Sequence, residues 1–435
     1  MNLNRKNLRS VIIIMVGLFV FFAAGCSGKK QAPANAPVHI TYKSLAWIQA
    51  EQTETKAVID EWNAAHPEIQ VEYVQGSWDT VDQELLTSFE TGDVPDIFHY
   101  WTGPIMLWKA RGYLADLSPM LDNDMKNDVN SDIWSLFKTS DNKIIAVPFQ
   151  SEVDMIFYNK DLFAEKGIEV PTLDKLWTLD DAINAARKLT DPSRDIKGIA
   201  IQGLSWSSRF LNDSWETKQG ISPLVIDGNN YRINVDGEYR ALAEKFQNLV
   251  KEGLMDPGII TGGYDASAAF AGGKVAIWTG IGCWFRSQLL NEYSKESVNW
   301  GMLPPIKIKT TETYGAIQTL SIPEKSKNKE AAMEFLKFFW NTDNQERIAQ
   351  SAYIFPGRNS AMTRFNKPVD GWDLAYESAK NLIVPNYIPI PGWGTFSETT
   401  GKAIWQDYMI GQDSFNTFQQ KLNDQLIPFL NDARQ

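Results

Sequence analysis

Two acids separated by one residue, Glu152 and Asp154, sit in Pro148–Phe163, a run whose apolar core is Val153, Met155, Ile156, Phe157 and Tyr158. Paired carboxyls can hydrolyse a glycosidic bond when they lie roughly 5–10 Å apart across it and one keeps its proton. Nothing else in the chain pairs acids in that way and no nucleophile motif is present. Asp154 is read as turned away from Glu152 along a strand. The three histidines, His39, His66 and His99, are not spaced as ligand pairs, and Cys26 and Cys283 are far apart, so no metal site is expected. Gly272-Gly273-Lys274 lacks the spacing and trailing hydroxyl of a phosphate-binding loop. No cofactor is expected. What remains is recognition: aromatic plates and bidentate polar groups in a concave site.

The chain has 16 Trp, and most must be core because Trp is highly buried on average. Trp62, Trp134, Trp340 and Trp405 fall in helical patterns and read as packing. Trp47, Trp78, Tyr100, Trp101, Trp206 and Trp284 fall in loops past strand patterns, and Trp393 follows Pro389-Ile390-Pro391-Gly392. Each of these is a ligand plate or a core ring. Asp96, after Pro95, reads as structural. Arg209, Arg286 and Arg358 read as solvated surface residues; one of them in a cleft would suit an acidic ligand.

These residues need elements to hold them. Val38–Tyr42 alternates like a strand. Thr55–Ala65 is helical, with Val58, Trp62 and Ala65 in register, and Pro67 ends it. Ile69, Val71 and Tyr73 make a second strand, Val81, Leu85 and Phe89 a second helix closed by Gly92, and Ile97-Phe98 a third strand. Strand–helix–strand–helix–strand predicts a parallel sheet covered by helices, with ligands beyond the carboxyl ends of its strands. Those ends are Ser44–Gln49, Gln75–Trp78 and His99–Gly103. The pattern restarts after Pro148–Phe163: helices over 179–189, 239–251, 266–270 and 324–340, strands at 198–201 and 275–278, an irregular stretch over 355–370, and helix from Thr395. Length also favours two lobes.

The formal net charge is −11, and no Lys/Arg block is present, so nucleic acid is a poor partner. Arg5, Lys6 and Arg9 precede the apolar run Val11–Ala24, which is too short to span a bilayer as a helix and reads as a secretory signal over residues 1–25. Ala23-Ala24-Gly25-Cys26 resembles a bacterial lipobox, with Ala23 where Leu is commonest. Cys26 is then the lipidated residue, residues 26–37 a tether, and the chain anchored to the outer face of the cell membrane without spanning it. Only Cys283 would remain, so no disulfide framework is expected.

Five motifs occur in one order: Thr91-Gly92-Asp93-Val94-Pro95-Asp96-Ile97; Pro148–Phe163 with Gly167 and Pro171 after it; Phe270–Ile277; Ala331–Trp340; and Pro391-Gly392-Trp393. In this the chain resembles the family 1 extracellular solute-binding proteins of ABC importers over nearly its whole length. The resemblance implies an α/β, two-lobe periplasmic-binding-protein fold, each lobe a mostly parallel sheet flanked by helices. The lobes would be 38–150 plus 315–360 and 151–314 plus 361–435, crossed near 149–152, 304–315 and 356–372. It implies a saccharide in the interlobe cleft, captured by hinge closure and passed to the permease, and the protein is expected to be a monomer. Glu152 matches a carboxylate that bonds sugar hydroxyls, and Trp393 a sugar-stacking Trp. Trp284 lies one position off another family Trp. A polyamine ligand on the same fold, or a glycoside hydrolase, are the alternatives.

Overall fold

The computed structural model describes residues 36–202, 224–227, 230–293, 298–307, 313–365, 371–380, 382–383 and 389–433. Cys26, Trp206 and Arg209 lie outside the described residues.

The first half of the chain follows its periodicity. Strand β1 (Val38–Ser44), helix α1 (Gln49–Ala65), strand β2 (Ile69–Gln75), helix α2 (Val81–Thr91) and strand β3 (Ile97–Trp101) come in that order. Helix α1 buries Glu51, Thr55, Val58, Ile59 and Trp62, one stripe at helical spacing. Gly92 closes α2 at φ +84°, the left-handed conformation that glycine takes without strain. Strand β1 pairs in parallel with both β2 and β3. Helix α3 (Thr102–Ala110) follows β3 directly, and its first seven residues are buried.

Pro148–Phe163 is two strands with a break. Strand β4 (Val147–Ser151) lies in a six-stranded sheet, and β5 (Asp154–Asn159) lies in a four-stranded one. Only Glu152 and Val153 separate them. Asn159 then caps the next helix, its Oδ1 accepting from the backbone N–H groups of Asp161 (3.0 Å) and Leu162 (3.1 Å). Tyr158-Asn159-Lys160 is therefore a strand exit and a helix cap.

The second sheet is completed by β6 (Lys197–Ile201), β7 (Val275–Gly282) and β8 (Trp300–Leu303), in the order β8-β5-β7-β6. The chain re-enters the first sheet as β9 (Ile317–Ser321) and β10 (Phe355–Pro356), giving the order β10-β4-β9-β3-β1-β2. Both sheets are more mixed than the parallel pattern predicts. Strand β9 runs antiparallel to β3 and β4, and β5 runs antiparallel to β7 and β8. The register gives the reason: Ser151, the last residue of β4, sits opposite Ile317, the first of β9, so one strand leaves the sheet where the other enters. Gln318 faces Trp101, so this edge is also the carboxyl end of β3.

The late helix is shorter than 324–340. It runs over α4 (Lys329–Phe339), because the side chains of Ser326 and Asn328 are bonded to Asp96 Oδ1 at 2.7 and 3.2 Å instead of continuing a helix. Asp96 also accepts from the Thr41 backbone N–H, so it ties β1 to this turn, a structural role as read from the sequence. The stretch over 355–370 is not wholly irregular: it holds β10 and a short helix, Asn359–Arg364. One large core packs around the four-stranded sheet and two smaller ones around the six-stranded sheet. Among the described residues no helix is long and apolar enough to cross a membrane.

Candidate functional site

Three strand ends meet where the topology predicts. Trp78, after β2, donates from Nε1 to the carbonyl of Leu45, after β1, at 2.9 Å. Its ring lies 5.5 Å from that of Tyr100 in β3 and 5.6 Å, edge-on, from Trp47. Trp47 in turn meets Trp284 edge-on at 5.6 Å. Trp284 follows β7 of the other sheet, so this aromatic row crosses from one sheet to the other. Trp78 remains the most open ring of the row, at 37% exposure. Tyr100 is buried and stacks on Trp108, while Trp101 is half-buried.

Glu152 lies at the foot of this row. It is buried, and both carboxylate oxygens are engaged. Trp284 Nε1 donates to Oε2 at 3.0 Å, and Gln318 Nε2 donates to Oε1 at 2.6 Å. Gln318 is itself fixed: its Oε1 lies 3.2 Å from His99 Nε2, while His99 Nδ1 accepts from the Leu45 N–H at 3.4 Å. The last bond makes Nδ1 the acceptor and Nε2 the protonated nitrogen, a neutral imidazole. Burial agrees, lowering the His99 pKa to about 3. A directed chain therefore runs from Leu45 through His99 and Gln318 to Glu152, into which Trp284 also donates.

A second acid stands behind the first. Glu51, in the first turn of α1, is completely buried and accepts from Gln150 Nε2 at 3.0 Å. Burial, opposed by that hydrogen bond and reinforced by the charge of Glu152, raises its pKa to about 8.

Trp393 comes from a later element. The turn through Gly392 (φ +87°) ends in a short helix, α5 (Trp393–Phe396), and Trp393 is 4% exposed. This helix packs on α3 through glycines: a Cβ on Gly394 would lie 2.6 Å from the carbonyl carbon of Gly103. On Gly103 itself, a Cβ would lie 2.2 Å from the ring of Trp101. Gly103 thus lies against the Trp101 ring and against Gly394, the neighbour of Trp393.

Several sequence expectations need correction. Arg286 and Arg358 are buried, not solvated. Arg358 Nε donates to Asp128 Oδ2 at 2.7 Å and the guanidinium covers the Trp340 ring, while Arg286 lies over the rings of Trp300 and Tyr353. Long side chains can sink when a partner waits inside, and these partners lie on other elements. Asp154 is half-buried at the start of β5, opposite Gly282. The strand argument does not turn it away from Glu152, because residues two apart share a strand face and Glu152 lies outside both strands. Gly272-Gly273-Lys274 is a helix end and turn, with Gly273 at φ +73°.

Sequence reasoning missed Glu51, His99 and Gln318. Glu51 had a signal: Ile48, Glu51, Thr55, Val58 and Trp62 recur at three- and four-residue intervals, so the acid sits on the apolar stripe. An acid in a first helical turn reads by default as a favourable partner for the helix dipole. Gln318 had none.

The fold and this site define a class. The chain belongs to the bacterial extracellular solute-binding proteins of ABC importers, whose family model matches residues 46–346. An uncharacterised lipoprotein encoded in the oleD 5′ region of Streptomyces antibioticus is 27% identical over 418 residues, covering 93% of this chain and 89% of that one. The diacetylchitobiose-binding protein DasA of Streptomyces coelicolor is 25% identical over 326 residues, covering 69% of this chain and 71% of its own length. The GacH receptor of Streptomyces glaucescens, solved unliganded and with acarbose, shares the fold: its TM-score is 0.76 at 19% identity, covering 91% of this chain and 99% of that one. The chain thus has the two-lobe periplasmic-binding-protein fold.

Proposed function

We propose that this chain captures a saccharide, most naturally an oligosaccharide, between its lobes and hands it to an ABC permease. One observation carries the reading: a carboxylate fixed by two donors, at the passage between the sheets, beside a row of indole rings. A sugar ring offers an apolar C–H face to an aromatic plate and hydroxyls to a carboxylate. Relatives named for diacetylchitobiose and solved with acarbose support it. Glu152, Trp284, Trp47 and Trp78 are the first contacts, with Trp101, Tyr100, Trp393 and Trp206 as further candidates.

The proposed moving bodies are 38–150 plus 315–360 and 151–314 plus 361–435. Glu152 sits on the first connection between them, so ligand contacts there favour one lobe arrangement over another. The chain works as a monomer, anchored by lipid on Cys26, and does not turn its ligand over. Cys26→Ser should release the protein from cells into the medium, and retention of the variant on membranes would refute the anchor.

A thermal-shift screen over mono-, oligo- and acidic saccharides tests the ligand class, because binding to the native state alone raises the midpoint. A rise with at least one saccharide, without new reducing ends on incubation, is the expected result. A rise only with polyamines would replace the ligand, and new reducing ends would make the protein a hydrolase.

A further inference from the structure

Glu51 and Glu152 are two buried carboxyls separated by one amide. Gln150 donates to Glu51, and two residues later the same chain segment reaches Glu152. No lysine or arginine among the described residues forms an ion pair with Glu51. Arg347, on a neighbouring helix (Thr342–Ala352), is committed to Glu54 and Glu61. Lys56 lies over the Tyr73 ring at 4.8 Å. The other titratable groups facing Glu51 are Tyr42 on β1, Tyr73 on β2 and Glu152 at the crossing; His99 on β3 is neutral. All of these favour the neutral acid or leave it untouched. Glu152 holds two donated hydrogen bonds, which suits a carboxylate. Glu51 holds one, and its Oε2, together with the buried oxygens Gln150 Oε1 and Thr55 Oγ1, has no partner in the protein. A carboxylate oxygen left in the core without a donor is costly, whereas a protonated carboxyl carries its own O–H there.

We infer that Glu51 is a neutral carboxylic acid at pH 7 and acts as a positioning residue, holding Gln150 and β4 so that Glu152 is the one buried anion at the lobe crossing. The ligand consequence rests on the saccharide-binding reading; the proton itself does not. Above neutrality Glu51 gives its proton to solvent. A second buried charge then appears beside Glu152, and the Gln150–Glu152 segment loosens.

The sign follows from linkage. Glu51 binds its proton more tightly folded than unfolded, so its contribution is complete below the unfolded carboxyl range and is lost as pH rises to about 8. His99 acts oppositely, but only below its unfolded value near 6.5. Between pH 6.5 and 8 the Glu51 slope stands alone. The experiment compares wild type with Glu51→Gln, which keeps shape and hydrogen bonding without a proton to lose. The unliganded melting midpoint of wild type should fall relative to the variant by about 1–3 °C per pH unit across that window. A constant difference overturns the proposal. If the variant does not fold, the infrared C=O band of a protonated carboxylic acid in wild type decides. Its presence at pH 6 and loss by pH 9 supports the inference, and its absence at pH 6 overturns it. With ligand, wild-type affinity should decline over the same range while Glu51→Gln stays flat; parallel declines overturn the positioning role. Failure of every saccharide to bind would remove the ligand reading and leave the two ligand-free measurements to judge the proton.

Discussion

Trp284 donates its indole N–H to Glu152 Oε2 at 3.0 Å across 132 residues of sequence, joining the loop after a strand of one sheet to the passage between the two. Gln318 occupies the other oxygen from a strand of the first sheet. Glu152 is thus held from both sheets, and under the proposed function changing it should act on stability and on ligand binding together.

Glu152→Gln replaces one acceptor oxygen with a donor facing donors already in place. Saccharide affinity should fall tenfold or more, measured by titration calorimetry. Glu152→Ala should also lower unliganded stability by about 1–3 kcal/mol, because two buried donors lose their partner. A site residue on an open surface would leave stability unchanged, so denaturant titration separates the two placements.

Gly394→Ala forces a Cβ to within 2.6 Å of the Gly103 backbone, where no side chain can yield. The helix bearing Trp393 must shift off α3 at a cost of about 1–3 kcal/mol. Urea unfolding should show the loss. If Trp101 and Trp393 line the ligand site, titration should show weaker binding beyond it.

Arg358→Ala leaves the half-buried Asp128 without its cation and opens space beside Trp340. About 3 kcal/mol of stability should be lost. Arg358→Lys should recover part of it, since the charge returns without the planar face. Equal stability of all three proteins in urea would mean that the ion pair contributes nothing.

Acid should act through His99. Its folded pKa, about 3, lies below the unfolded value, so the unfolded chain binds the extra proton and stability is lost as pH falls from 6.5 toward 3. Wild type should lose stability relative to His99→Gln in melting experiments as pH falls from 6.5 to 4. The substitution should also loosen Gln318 and weaken ligand binding at pH 7.

The sequence by itself determined what neighbours along the chain decide. The helix stripe of Val58 and Trp62 and the Gly92 helix end are relations within one or two turns, and residue types settle them. The strand–helix alternation told where loops collect at strand ends, and there Trp47, Trp78 and Tyr100 indeed meet. The family resemblance also pointed Glu152 toward recognition. Only the tertiary structure decided who holds that carboxylate, because Gln318 lies 166 residues away and nothing near it in sequence marks it. The burial of Arg286 and Arg358 was hidden too, because it depends on rings and an acid supplied by other elements. Glu51 is the intermediate case. Its place on the apolar stripe was legible, but its proton depends on what the fold brings against it: an amide, a second acid and no cation.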